Sequence, residues 1–346
     1  MSSRVEFGQD TGQFFQRFTL IEQIGVGGFA TVHRGLDRLS NEFVAVKVVG
    51  LQNLPNREAY SSFQEVDKTQ YFPSDSSLER EVYILSEVQH ENIIRLICTY
   101  VAPTKVFIVT ELASGGELLE RITDAGCFSE DDARAVVSQI LKGVEYLHQR
   151  NIVHRDLKLE NIMLSNLTPQ AKVKIADFGL ARYFTDDSQL RTICGSPLYV
   201  APEILDIGTN SETYTPAVDM WSIGVIVYIL LTGNSPFDIE DEQVLFQKIR
   251  SGEYSMDDYL WDHISSEAKD CVQRLLTVDT TARMTVNEAL KHPWITGARN
   301  FHGMHSAKLM EVKRKRFVEQ LKSFRMVQEE QIFMKHQANG IDSGAT

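Results

Sequence analysis

The sequence predicts an α+β fold in two lobes, a small β-rich N-terminal lobe with one main helix and a larger helical C-terminal lobe. Between 18 and 112, short runs rich in β-branched and aromatic residues are separated by Gly, Ser or Asn turns. From 129 onward, apolar residues recur at helical spacing. A change from strands to helices implies a cleft near residue 113.

Residues 1–17 read as an N-terminal extension. Strands are expected at 18–25, 30–37, 42–50 and 106–112, all within an N-lobe spanning 18–112. One helix interrupts them over 76–89, with Leu78, Val82, Leu85 and Val88 at spacings of four and three and Ser76 and Ser77 as candidate caps. Residues 51–75 are polar, lack a period and contain Pro55 and Pro73, which predicts a loop insertion. The C-lobe, 113–297, is expected to hold helices at 129–149, 216–233, 265–277 and 285–293. The first of these opens on Ser129 with acidic residues in its first turn. Residues 298–346 form a basic tail.

The longest apolar run, "MWSIGVIVYILL" (220–231), has 12 residues, too few to span a bilayer, and reads as a buried helix. The N-terminus lacks the build of a signal peptide, and Ser2 is incompatible with N-myristoylation, so no membrane attachment is expected. Cys98, Cys127, Cys194 and Cys271 form no CxxC pair, which fits reduced thiols and a cytoplasmic or nuclear protein. The net charge of −12 hides an asymmetry, because residues 296–346 carry nine Lys/Arg against five Asp/Glu. An acidic body disfavours nucleic acid as a partner and favours basic peptides.

The stretch "IGVGGFATV" (24–32) has glycines at 25, 27 and 28, which let a backbone approach a phosphate closely. It also matches a dinucleotide-binding GxGxx(G/A), but that fold needs a helix straight after the glycines, and here a strand follows. In "VAVK" (44–47), Lys47 lies in an apolar strand and wants an anionic partner, either phosphate or Glu81 on the 76–89 helix; a plain structural ion pair is the competing reading. "HRDLKLEN" (154–161) and "DFG" (177–179) contribute Asp156, Asn161 and Asp177, hard oxygen ligands of the kind that suit Mg2+.

These motifs, with "APE" (201–203), "DMWSIG" (219–224) and Arg283 in order and at compatible spacing, resemble a eukaryotic protein kinase from about 18 to 297. The resemblance implies a bilobal fold with an antiparallel N-lobe sheet, and ATP and Mg2+ as cofactors. It implies that Lys47 holds the α- and β-phosphates and pairs with Glu81, that Asp156 takes the substrate hydroxyl's proton, and that Lys158 steadies the transferring phosphoryl group. Asn161 and Asp177 would hold the metal. Gly25, Gly27 and Gly28 would cover the phosphates; Ile24, Val32, Ala45 and Met163 would enclose the adenine beside Thr110 and the backbone after Glu111, and Glu117 would reach the ribose. Glu203 and Arg283 resemble the family's buried structural ion pair. Ala30, Leu159 and Ser196 depart from common family choices, and none removes a reacting group.

"DLKLEN" and the "GSP" hydroxyl of Ser196, which would bond Asp156 and Lys158, resemble Ser/Thr kinases. "GGELLERI" (115–122), "YILLTGNSPF" (228–237) and "EALKHPWI" (288–295) resemble the calcium/calmodulin-dependent group. "RTICGSPLYVAPE" is also similar to the catalytic domain of forkhead-associated checkpoint kinases. The resemblance implies that Glu117 and Glu160 meet an arginine three residues before the target Ser or Thr, and that Thr192 is an activation-loop phosphosite met by Arg155, phosphorylated by an upstream kinase or in trans by a second copy. In the tail, "KLMEVKRKRFVEQLKSFRMV" (308–327) holds seven basic and two acidic residues with apolar anchors at Phe317, Leu321, Phe324 and Met326. It resembles a calmodulin target that plugs the cleft; a packed helix, an import patch ("KRKR") and a disordered tail are the alternatives. The reading from another functional class is a nucleotide-binding scaffold or pseudokinase that acts through its tail.

Overall fold

The computed structural model describes residues 7–8, 11–27, 30–51, 77–125, 129–168, 170–184, 197–205, 215–237, 239, 241–257, 259 and 261–297. The small lobe contains β1 (Phe7–Gly8), α1 (Thr11–Arg17), β2 (Phe18–Val26), β3 (Ala30–Asp37), β4 (Glu42–Gly50), α2 (Ser77–Glu87), β5 (Leu96–Val101) and β6 (Lys105–Glu111). Its sheet has the order β1-β5-β6-β4-β3-β2, antiparallel throughout except for a parallel β1–β5 pair. Two findings differ from the sequence expectation. The N-terminal residues are not a bare extension but add β1 to the sheet and α1 beside it, and "LICTYV" forms β5, a mostly apolar strand, interrupted only by Thr99, that lacks the alternation marking half-exposed strands.

Register sorts the sheet's side chains onto two faces. Val32 lies opposite Lys47, and Ala45 opposite Thr110, so strand alternation places these four residues on one face. Val44, Val46, Phe107 and Val109 take the other face, where they form a separate apolar cluster with Phe14 and Phe18.

The large lobe contains α3 (Leu118–Ala125), α4 (Glu130–His148), β7 (Ile152–Val153), β8 (Ile162–Leu164), β9 (Val173–Ile175), β10 (Arg182–Tyr183), α5 (Pro202–Leu205), α6 (Ala217–Thr232), α7 (Glu242–Ser251), α8 (Ser266–Leu275), α9 (Val286–Lys291) and α10 (Pro293–Thr296). The expected helices are present, shorter by one or two residues at most ends; the expected 285–293 helix is divided between α9 and α10 at His292, ahead of Pro293. Ser129 caps α4 through a reciprocal bond with Asp132. α6 is apolar on every side and correspondingly buried along its length. Beside it, Arg283 binds Glu203 in a two-pronged ion pair at 2.7 and 2.8 Å, with both side chains buried.

The tail 298–346 and nearly all of the 51–75 insertion lie outside the described residues. No described helix is long and apolar enough to cross a membrane.

Candidate active site

The segment 154–161 is shaped from beneath by one carboxylate. Asp219, in the first turn of α6 and fully buried, accepts hydrogen bonds from the backbone amides of His154 (3.0 Å) and Arg155 (2.9 Å) and pairs with the His148 imidazole at 2.8 Å. Burial pushes its pKa up, but the His148 bond, the nearby imidazoles and the Arg155 amide outweigh that, so the group stays below the usual carboxylate value. Arg155 sits at φ 69°, a costly conformation for a long side chain, and the Asp219 bond holds it there. Sequence reasoning assigned Asp219 no role; the available signal was an acid at the head of an otherwise apolar helix.

With the backbone so turned, three side chains converge. Lys158 Nζ lies 3.0 Å from Asp156 Oδ2. Asn161 Nδ2 donates to the Asp156 carbonyl at 2.8 Å and to Oδ2 at 3.1 Å. Burial lowers the Lys158 pKa and Asp156 raises it, with a net upward shift that keeps the ammonium charged. The Asn161 carbonyl accepts the Ala176 amide at 2.9 Å, tying this loop to the segment that carries Asp177.

Asp177 adopts φ 59° between a buried Phe178 and a backbone fixed at Ala176, whose carbonyl meets His154 Nε2 at 3.2 Å. The His154 ring stands edge-on to Phe178 at 5.0 Å, so His154 is an internal packing residue. This anchoring leaves the Asp177 side chain 51% exposed, 3.8 Å from Lys47. Burial of its inner part acts upward on the Asp177 pKa, and the Lys47 charge and Gly179 amide carry it below the ordinary value. Lys47 in turn binds Glu81 of α2 at 2.6 Å. Burial lowers the Lys47 pKa and the two carboxylates raise it, with a net rise.

The cleft's remaining walls are set by backbone. Gly27 N donates to the Ala30 carbonyl at 2.8 Å, closing the turn beyond Gly25, while Ile24 remains half exposed at its edge. The segment 115–117 is pinned to β8: Gly115 N donates to Leu164 O, Leu164 N to Gly116 O, and Glu117 bridges to Met163. A Cβ on Gly115 would fall 2.3 Å from the Asn166 carbonyl, so this close approach requires glycine. The Glu111 carboxylate turns to the junction of the lobes, where it accepts the Arg95 amide at 2.9 Å and pairs with Lys174 at 2.7 Å. Glu160 lies beside Tyr199; burial pushes its carboxyl above the ordinary value and the Tyr199 phenol well above the usual range. Gly28, Thr192 and Ser196 lie outside the described residues.

Among the described residues, no group of three or more His, Cys, Asp or Glu side chains forms a metal cage. Asn161 and Asp177 instead offer an amide and a carboxylate oxygen, a sparse hard-oxygen set that fits Mg2+ shared with substrate phosphates.

Residues 18–295 match the protein kinase domain family. The chain belongs to that family. The kinase is 37% identical over 300 residues to calcium/calmodulin-dependent protein kinase type 1 of Macrobrachium nipponense, an alignment covering 86% of this chain and 81% of that protein. It is 42% identical over 251 residues to calcium/calmodulin-dependent protein kinase type 1 of Caenorhabditis elegans, covering 72% and 70%. It is 45% identical over 240 residues to calcium/calmodulin-dependent protein kinase type IV of Mus musculus, covering 68% of this chain and 50% of that protein. It is therefore a Ser/Thr protein kinase of the calcium/calmodulin-dependent group, an enzyme whose family acts on protein substrates and in general uses ATP and Mg2+.

Proposed function

We propose that this kinase transfers the γ-phosphoryl group of ATP to Ser or Thr hydroxyls that follow an arginine at the third position upstream. One observation carries the reading: Lys47 meets Glu81 and Asp177 at 2.6 and 3.8 Å, Asp156 meets Lys158 and Asn161 at 3.0 and 3.1 Å, and the Ala176 amide bonded to the Asn161 carbonyl at 2.9 Å ties the two groups together. Lys47, held by Glu81, orients phosphate oxygens. Asp156 positions the peptide hydroxyl and accepts its proton, and Lys158 steadies negative charge next to it. Asn161 and Asp177 would hold Mg2+, which when bound supplies charge neutralisation along the phosphates. Val32, Ala45, Thr110 and Met163 would line the adenine side with Ile24, the glycines Gly25, Gly27 and Gly28 would cover the phosphates, the Glu111 backbone would meet the base, and Glu117 would reach the ribose. A loose phosphoryl-transfer transition state asks for positioning and charge neutralisation, which these residues supply. Incorporation of labelled phosphate into a serine peptide with that arginine, lost in Asp156→Asn, tests the reading; unchanged incorporation in the variant refutes it.

Regulation is part of the same proposal. Phosphate on Thr192 would neutralise Arg155 and order the adjoining loop. The 308–327 segment would bind calcium-loaded calmodulin and occupy the cleft at rest, a reading supported by its basic, amphipathic composition and by the similarity of the chain to calcium/calmodulin-dependent kinases. Full activity in Thr192→Ala removes the first element. Calcium-independent activity unchanged on deleting 298–346 removes the second. Cytoplasm or nucleus is the proposed compartment, checked by fractionation.

A further inference from the structure

The strand that leads into the glycine turn is the outermost of its sheet. Among the described residues β2 pairs only with β3 in that sheet, and its register shifts twice, between Leu20 and Glu22 and between Gln23 and Gly25. Irregularities of this kind weaken a ladder and let an edge strand bend away. Left to β3 alone, the position of Gly25 and Gly27 over the cleft would be loosely set.

The opposite end of the β2–β3 hairpin is fixed. α1 runs into β2 without a linker residue, Arg17 ending one and Phe18 starting the other. Arg17 Nε and Nη2 donate to the Asp37 carboxylate at 3.2 and 2.9 Å, joining the last residue of α1 to the last position of the hairpin. The Arg38 amide also donates to the Arg17 carbonyl at 2.8 Å. Asp37 is buried and held below the ordinary carboxylate value: burial opposes that shift, and the Arg17 bond and the Leu39 amide more than offset it.

The helix also reaches across the sheet. Phe14 is fully buried, stacks on Phe107 of β6 at 4.2 Å and on Phe18 of β2 at 5.3 Å, and meets Tyr100 of β5 edge-on at 5.6 Å. β5 and β6 lie on the far side of β4 and β3 from β2. One aromatic ring therefore bridges the edge strand β2 to β5 and β6 on the face turned away from Lys47, and gives β2 a second attachment that its ladder lacks.

We propose that α1 is a positioning element for nucleotide: Phe14 and the Arg17–Asp37 pair set where the glycine turn stands over the cleft. This inference rests on the kinase reading above. Phe14 and Arg17 touch no reacting atom; they act through β2.

Full-length Phe14→Ala and Arg17→Met are compared with Leu245→Ala, which empties a buried site in α7 of the large lobe. Steady-state kinetics are run well below the melting temperature of every variant. Expected is a rise of about fivefold in KM for ATP in both α1 variants, with kcat and the peptide KM within about twofold of wild type. Amide exchange should accelerate over 18–26 and stay unchanged over 217–232. Leu245→Ala should lower the melting temperature without moving KM for ATP, and Phe14→Leu should restore most of the wild-type value. The inference is overturned if the α1 variants behave like Leu245→Ala, losing melting temperature alone. Should Phe14→Ala not fold, Arg17→Met carries the same comparison. An absence of phosphate transfer in the wild type would sink the kinase reading instead; dissociation constants for trinitrophenyl-ATP would then decide the α1 proposal by the same fold-change.

Discussion

The Arg155 amide donates to Asp219 across 64 positions of sequence, at 2.9 Å, and that bond holds Arg155 at φ 69°. The most apolar helix of the large lobe thus shapes the loop that carries Asp156, Lys158 and Asn161. Asp219→Ala removes the acceptor for two amides and an imidazole at once. A loop misplaced by an ångström can cost about 100-fold in rate, so kcat should fall by about that factor while KM for ATP changes little. Single-turnover kinetics with a serine peptide, alongside ATP titration, would check this split.

Lys47 and Glu81 connect β4 to α2 in the small lobe. Lys47→Met should lower kcat/KM by about 10²–10³, the scale for losing one preorganised charged donor. Glu81→Gln retains an oxygen acceptor for Lys47 and should cost less, about tenfold. Equal losses in the two variants would argue that Lys47 serves only the ion pair.

Glu203 and Arg283 are buried and joined by two bonds, and Arg283 also donates to the Ala217 and Thr277 carbonyls. Arg283→Met leaves the Glu203 charge without its partner and should destabilise the fold by about 3–5 kcal/mol, read by urea unfolding. Replacing both residues with apolar side chains should recover part of that loss, because no unpaired charge is then buried.

Acid stability should report Asp37 and Asp219. Both are held below the ordinary carboxylate value in the fold, so the stability they contribute is present above the unfolded pKa of about 3.9 and is lost as pH falls through the lower folded value. Melting temperature should drop as pH falls below about 4, and less steeply in Asp37→Asn than in wild type. An identical slope in the variant would exclude Asp37 as a contributor.

Glu160 titrates in the opposite sense, with burial holding its pKa above the ordinary value. If it reads the upstream arginine, preference for an arginine peptide over its alanine counterpart should decline as pH falls, because the carboxylate is neutralised sooner than an exposed one. Glu160→Gln should show a weak preference at every pH. A pH-independent preference in wild type would remove Glu160 from specificity.

Much of the site is readable along the chain because its chemistry comes in contiguous runs. "HRDLKLEN" brings Asp156, Lys158 and Asn161 together within one turn of backbone, and their convergence needs little more than that turn. Lys47 and Glu81 are separated by 34 positions, yet a strand lysine among apolar neighbours announces a missing anion. Asp219 announces nothing comparable: its task is to accept amides from a loop whose position depends on how α4 and α6 pack. Glu111 illustrates the same gap, since its partners Arg95 and Lys174 come from different lobes.

Residues 7–17 and β5 were hidden for a related reason. "LICTYV" is largely buried on both faces because α1 covers the outer one, and α1 earns no periodic signal in seven residues. Local pattern therefore settled the two-lobed α+β fold and the protein kinase family and singled out the candidate site side chains, all of which depend on residue type and short spacing. Folding in three dimensions settled which carboxylate holds the catalytic loop, where the Glu111 side chain turns and what lies on the back of the sheet. Those outcomes depend on contacts between elements far apart in the chain, and such contacts leave no period in the sequence.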